Sequence, residues 1–388
     1  QNSENEGLYG VEKYYNDLIK VECSKCYFGA TSNFVLIAGQ KPNLHKLVIE
    51  NCLNISNGIV GIIHDKGIYE DNNGQVLRGK LYKLLKYYFQ FQNELKLFSG
   101  VGNTKKFEIS ILKNGKDQID FSAISNLFHP STIDQCFTNS NSLVLGIRNE
   151  KNEWEFRGNM SRVINVDSSV LNIYSELFGE SDASEKGTLA NIHTKELNAV
   201  LLKFNSIECK LKKYEAEITP SIMLDETKAK REGIIVRNPS FVVDKEFVLA
   251  GPHIYVGNPV FQTPNENCSS HRDYSKVDLT SINESYLPRT IYKLLKDNES
   301  INPDPNYFYV NRKRAQPSNE RTLMSCIQPP KRVHTIGCYS LHFINEYIML
   351  SFASYSLSII YDFYVRITNR EDILFDTISN LPVFEKPN

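Results

Sequence analysis

Between residues 43 and 112 the apolar positions change period three times, and this succession predicts four ordered elements. Leu44, Leu47, Val48 and Cys52 recur at helical spacing. The run Ile59-Val60-Gly61-Ile62-Ile63 is short, continuous and β-branched, which predicts a buried strand. After a loop at residues 64–79, Leu81, Leu84, Leu85 and Tyr88 line one face of a basic amphipathic helix. Phe107-Glu108-Ile109-Ser110-Ile111-Leu112 then alternates as a strand does, with Phe107, Ile109 and Ile111 on one face. Helix, strand, helix, strand is the grammar of an α/β sheet lying under helices. Such sheets place ligands outside the carboxyl ends of their strands. Residues 64–70 and those just before Phe107 are therefore expected at the working edge.

The flanking patterns are simpler. Residues 8–20 read as a helix, 121–128 as a short amphipathic piece, and 131–137 as a helix begun at Ser131. Residues 139–165 suit a β-hairpin with its turn at 149–152. Helical period returns at 167–178, capped by Asp167, and at 191–213, capped by Asn191 or by His193-Thr194. The polar loop 179–187 between them is the expected place for cleavage. From Ile234 the texture turns to short strands at 234–236, 241–243, 247–249 and 254–256, punctuated by Pro252, Pro259 and Pro264. Residues 298–305 read as a linker, and 322–365 as a closing strand-and-helix unit. The most apolar stretch, 347–365, contains Asp362 and lacks basic flanks, so a buried core helix is expected there rather than a bilayer span. Three regions follow: 1–115, 116–220 and 221–388.

Composition narrows this little. The 388 residues are 41% hydrophobic and 23% charged, ordinary for a globular chain, and the net charge of −1 argues for no polyanionic partner overall. Local charge is more informative. Residues 78–113 hold eight Lys and Arg, and residues 306–338 hold six, with few acids in either stretch. Only Cys23 and Cys26 among eight cysteines have ligand spacing, and one such pair without a second predicts no metal. Reduced cysteines and the lack of a signal peptide lead us to expect a cytoplasmic protein.

Several segments resemble a known family. They are Asn43-Leu44-His45-Lys46, Gly58 to His64, Gly67-Ile68-Tyr69-Glu70-Asp71, Phe89 to Phe98, and Ile124-Ser125-Asn126-Leu127-Phe128. The likeness resumes at Gly251 to Pro259, Tyr286-Leu287-Pro288-Arg289-Thr290, Glu320-Arg321-Thr322-Leu323 and Ile360-Tyr361-Asp362-Phe363. Together they resemble large bacterial adenine-N6 DNA methyltransferases of type IIG restriction–modification and related phage-defence systems. The resemblance implies an α/β fold: the second half of a Rossmann-like class I methyltransferase sheet, a helical connector, and an α+β target-recognition region.

That family binds S-adenosylmethionine through a Gly-rich turn and flips adenine against an Asn/Asp-Pro-Pro-aromatic loop. Neither stands in this chain: Pro329-Pro330 is flanked by Gln328 and Lys331, and Asn258-Pro259 runs on to Val260. His64-Asp65-Lys66 also departs from the family's His-Pro-Glu. The chain, which begins at Gln1, is therefore expected to be the C-terminal part of a longer polypeptide or one piece of a split enzyme, inactive alone. The methyl donor would bind only the complete enzyme, so no cofactor is expected here.

The resemblance implies that Phe107 stacks on the flipped base, while His64 could face substrate or simply close its strand. Lys105, Lys106, Arg289, Arg312, Lys313, Arg314 and Arg332 are the candidate DNA contacts, the 312–314 triplet for phosphate. His253, Asn258, His271 and Arg272 form a candidate recognition loop, with Asn258 equally suited to making a turn. The expected partners are double-stranded DNA and an upstream methyltransferase half, with no membrane, in a bacterial or archaeal cell. The alternative is a non-catalytic DNA-specificity module of a restriction or defence complex.

Overall fold

The computed structural model describes residues 2–39, 43–71, 74–140, 146–241, 247–270, 272–295, 301, 305–315, 319–368 and 370–384. It divides into two compact units, Gln1–Asn205 and Ser206–Asn388. The expected connector region is split between them.

In the first unit, α1 (Asn2–Gly29) and α2 (Leu44–Ile55) lead into β1 (Ile59–Asp65), the one-turn α3 (Gly67–Glu70) and α4 (Gln75–Leu84). The chain then passes directly into β2 (Leu85–Gln92) and on to β3 (Lys106–Lys113) and β4 (Asp120–Leu127). After α5 (Ser131–Thr138) come β5 (Ile164–Asp167), α6 (Ser168–Leu177) and α7 (Lys195–Asn205).

The sheet runs β1-β3-β2-β4-β5. β3 is antiparallel to both its neighbours, whereas β2 and β4 are parallel, so the sheet is mixed. Because β3 runs against them, the carboxyl ends of β1, β2 and β4 share one edge with the start of β3. Three expectations change. The helix expected through Tyr88 stops at Leu84, and residues 85–92 form a central strand. Residues 120–127, expected as an amphipathic piece, are also a strand. The run 59–63, expected to be buried, is an outer strand with exposed positions.

Other local readings hold. Asp167 Oδ1 accepts from Val170 N at the start of α6. The 149–152 turn closes with Asn152 N donating to Asn149 O, although residues 141–145 of the expected hairpin lie outside the described set.

The second unit begins with β6 (Ile218–Pro220), β7 (Met223–Leu224), α8 (Glu226–Arg231), β8 (Ile235–Phe241) and β9 (Val248–Leu249). β10 (Gln262–Pro264), β11 (Tyr274–Lys276), β12 (Thr290–Leu294) and β13 (Phe308–Arg312) follow. It ends with β14 (Ser325–Gln328), β15 (Val333–Thr335), β16 (Cys338–Phe343), α9 (Glu346–Ser356) and α10 (Ile359–Ile367). Its larger sheet is β14-β13-β16-β6. Phe308, Val310, Cys326 and Cys338 pack there with Phe247, Leu249 and Ile254. The expected strand at 254–256 is a tight turn instead. Most of the expected 298–305 linker lies outside the described residues.

The apolar stretch 347–365 is two helices bent by 80°, and Ser358 Oγ caps the second by accepting from Tyr361 N. Among the described residues no single helix is long and apolar enough to cross a membrane.

Candidate functional site at the carboxyl edge of the first sheet

Glu108 lies at the centre of a buried polar network on one face of the first sheet. Alternation along β3 puts Glu108, Ser110 and Leu112 on that face, and this is the more deeply buried of the two. His64 stands opposite Glu108 on β1. Its Nδ1 is 2.8 Å from the Asp65 carbonyl, which can only accept, so Nδ1 carries the proton. Nε2 therefore accepts from Ser110 Oγ at 2.8 Å, and Tyr69 OH donates to Ser110 at 2.9 Å. Burial pulls the His64 pKa down to about 4.

Tyr88 OH contacts both Glu108 Oε1 and Asn191 Oδ1, the latter at 3.1 Å. One hydroxyl has one proton, so both contacts are satisfied only when Glu108 is protonated and donates to Tyr88. Burial, followed by repulsion from Glu70, pushes the Glu108 carboxyl well above the usual range, in agreement. Glu108 Oε2 lies 3.7 Å from His64 Nδ1, within ion-pair reach. Burial favours the neutral form of both partners, so we read the contact as neutral.

Residues 187–194 lie across this network as an irregular strap, buried throughout. Tyr82 OH donates to Gly187 O, Thr188 binds the Glu180 carboxylate through N and Oγ1, and Leu189 N donates to Tyr69 O. Asn191 Nδ2 donates to Glu70 Oε1 at 3.2 Å, and Ser125 Oγ reaches Asn191 Oδ1. A Cβ on Gly187 would meet Ser175 Oγ at 1.9 Å, so the strap needs glycine there. Of the two caps expected for the next helix, Thr194 is the one formed: α7 starts at Lys195 with Leu197 N donating to Thr194 Oγ1, and Asn191 is a cross-link instead. The segment following the expected cleavage loop is locked inside the unit.

The predicted site residues divide between this edge and the second unit. Phe107 is on the opposite face from Glu108, half-buried, stacked on Phe91 at 5.1 Å and edge-on to Phe98 at 4.8 Å. Lys105 beside it is exposed. Lys106 is half-buried near Glu70 and Glu108, and burial lowers its pKa.

In the second unit the expected display of His253 is corrected. It is fully buried, with both ring nitrogens engaged by the backbone of Ala250 and Arg289. Asn258 is a turn residue, its Oδ1 accepting from Val260 N beside Gly257 at φ +71°. Arg272 is exposed, and His271 lies outside the described residues. Arg289 pairs with Glu266 at 3.8 Å, and Arg332 is half-buried.

The basic triplet is also anchored. Lys313 pairs with Asp372, and Arg314 with Glu371 and Asp372. Arg312 does not stand free for phosphate: it donates inward to the carbonyls of Ile254 and Pro252. Truncating it orphans buried groups, so Arg312→Ala should destabilise the second unit by about 2 kcal/mol, read from the denaturant midpoint. An unchanged midpoint would return Arg312 to the surface.

The chain resembles two solved structures in backbone course. One is the type IIG restriction endonuclease BpuSI, at 11% identity and a TM-score of 0.32, over 89% of this chain and 42% of that one. The other is the ATP-dependent type ISP restriction–modification enzyme LlaBIII bound to DNA, at 10% identity and a TM-score of 0.29, over 94% of this chain and 26% of that one. This chain thus spans less than half the length of either. No protein-family model and no curated protein matches it.

The sequence missed Glu108, Tyr88 and Asn191 as partners. They are far apart along the chain, and the only local signal was the pair of polar positions, 108 and 110, on one face of an apolar strand. Among the described residues no three His, Cys, Asp or Glu side chains are placed to hold a metal ion.

Proposed function

We propose that this chain is the C-terminal portion of an S-adenosylmethionine-dependent adenine-N6 DNA methyltransferase serving restriction–modification or related defence. The observation that carries the reading is that segments resembling that family, scattered in sequence, are one another's partners in space. Residues 58–64, 89–92 and 124–127 end at one sheet edge beside Phe107. In the second unit His253 binds the Arg289 carbonyl, Gly257 N donates to Ser325 O, and the Asp362 carboxylate accepts from Thr322 N and Leu323 N. Each of these contacts but one joins two of the resembling segments.

The reaction moves a methyl group from the donor sulfonium to the adenine amino nitrogen, which loses a proton. The donor-binding and catalytic loops are supplied by an upstream half. This chain provides the closing part of the sheet, an aromatic wall at Phe91, Phe98 and Phe107, and the DNA-reading unit.

The test mixes the purified chain with the polypeptide encoded immediately upstream, labelled S-adenosylmethionine and duplex DNA. Methyl incorporation at adenine N6 is expected from the mixture alone, and calorimetry should show no donor binding to this chain by itself. Phe107→Leu should weaken 2-aminopurine enhancement at the target, since base stacking contributes about 1–3 kcal/mol. Micromolar donor binding by the isolated chain would sink the proposal.

A second reading, a non-catalytic specificity module, is favoured by the buried strap that lies across the Glu108 network. It predicts DNA binding that weakens steeply with salt, with no incorporation in any mixture.

A further inference from the structure

Arg162 is a buried charge without a countercharge. It ends the single turn Met160–Arg162 just before β5, its side chain is 0% exposed, and a guanidinium keeps its proton at any working pH. Nη2 donates to the carbonyls of Ser125 and Asn126 at 2.8 and 3.0 Å. Nε and Nη1, equally buried, have no protein acceptor among the described residues. Two carbonyl dipoles do not cancel a full charge, and a buried ion left unpaired is costly. The carboxylate that acts on Arg162, Glu155, is committed to Arg157, with Oε1 on Nε at 3.0 Å and Oε2 on Nη2 at 2.6 Å. The neighbouring Cys136 thiol is fully buried, and burial pushes its pKa up, so it stays neutral.

The same spot holds a second unanswered donor. Phe89 on β2 pairs with Ile124 but Phe91 with Leu127, so Ser125 and Asn126 bulge together opposite Gln90. Asn126 takes φ +57°, and its N–H donates to Gln90 Oε1 at 2.9 Å. That bond fixes the orientation of the amide. It leaves Gln90 Nε2 buried with no protein acceptor among the described residues. Gln90 and Arg162 thus anchor on one two-residue bulge, and what each has left over is N–H. A water molecule there would have to donate two hydrogen bonds of its own, and it carries no charge. An anion only accepts, and it neutralises the guanidinium.

We infer that the Ser125-Asn126 bulge borders an anion site, in which one compact inorganic anion of halide size accepts from Arg162 and from Gln90 Nε2. Enclosure sets the class of ligand. With Arg162 0% and Gln90 1% exposed, the site suits a small ion and not a nucleotide or a peptide carboxylate. It lies at the carboxyl end of β4, with β2 between it and the strands of His64 and Glu108. Nothing in the inference depends on a methyl donor or on DNA. An ion held by the folded chain alone ties the stability of the first unit to anion concentration.

The test compares urea midpoints of the full chain in sodium chloride and in sodium gluconate at equal ionic strength. Crystals soaked in bromide are read alongside by anomalous scattering. Chloride should raise the midpoint, and beyond half-saturation each tenfold increase should raise the folded-to-unfolded ratio about tenfold. Gluconate, too large for the site, should not. Bromide should give an anomalous peak within hydrogen-bond reach of Arg162 and Gln90 Nε2. Gln90→Glu keeps the acceptor for Asn126 N and supplies the negative charge from the protein itself. It should fold, lose the chloride increment and lose the peak. Arg162→Met removes the charge to be met and should be equally indifferent to chloride. Equal midpoints in the two salts would overturn the inference, and so would a chloride increment that survives Gln90→Glu. A bromide peak with no effect in solution would mark an adventitious ion only, and water alone beside the bulge would leave no anion to account for; either result overturns it too.

Discussion

Asn191→Ala is expected to destabilise the first unit by roughly 3 kcal/mol or more, among the larger effects of any single polar substitution in the chain. The side chain joins three otherwise separate elements: Tyr88 on β2, Ser125 on β4 and Glu70 at the end of α3. Removing it leaves the Tyr88 hydroxyl without an acceptor and strips one donor from Glu70. A buried group left unsatisfied costs about 1–3 kcal/mol, and the strap has no helix or sheet ladder of its own to compensate. The urea midpoint of the full chain should fall, and limited proteolysis should open residues 187–194, which the parent protects. A parent-like midpoint with unaltered protection would show that the Tyr82, Glu180 and Tyr69 contacts hold the strap without Asn191.

What the sequence disclosed and what it hid divide along physical lines. α2 and β3 were legible because each has one unambiguous period, and β1 because its apolar run is short and β-branched. β2 was not, because Leu81, Leu84, Leu85 and Tyr88 fit helical spacing across a boundary that falls at Leu84. From Leu85 the alternating aromatic residues prefer a strand, and ladders to β3 on one side and β4 on the other decide the matter. Residues 120–127 are ambiguous for the same reason. The apolar stretch 347–365 was long enough for one helix, yet the Ser358 cap starts a second.

The site was hidden for another cause. The two faces of β3 were assigned correctly, but alternation alone does not say which of them is the deeper. The polar face is the deeper, because Tyr69, Tyr88 and Asn191 satisfy Ser110 and Glu108 there. Those partners come from 40 or more residues away in the case of Ser110 and Tyr69, and from 103 between Tyr88 and Asn191, so no window of sequence contains them. The His253 candidate failed similarly: a histidine in a loop-rich stretch looks displayed until its ring is found bonding Ala250 and Arg289.

Two kinds of buried group should make stability depend on pH in opposite directions. His64 has its folded pKa lowered to about 4 by burial, so the unfolded chain takes up a proton first as pH drops. Its contribution is complete above the unfolded value of about 6.5 and shrinks through the window from there to about 4, where the loss reaches about 3 kcal/mol. His334 repeats the arrangement in the second unit, its Nδ1 on the Thr335 carbonyl and its Nε2 on Ser340, with burial again lowering its pKa to about 4. Both units should therefore weaken in acid. Glu108 acts in the opposite direction. Its folded pKa is raised, so the stability it lends is present below the unfolded carboxyl value and is lost as pH climbs through the folded one. Ionisation would also leave the single Tyr88 proton shared between two acceptors. Glu108→Gln keeps a donor to Tyr88 and cannot ionise, so it should flatten the decline of the first unit as pH rises and leave the decline as pH drops in place. His64→Gln should do the reverse. Urea midpoints measured from pH 4 to 9 decide between them, and a decline with rising pH that survives Glu108→Gln would move the titration to another group.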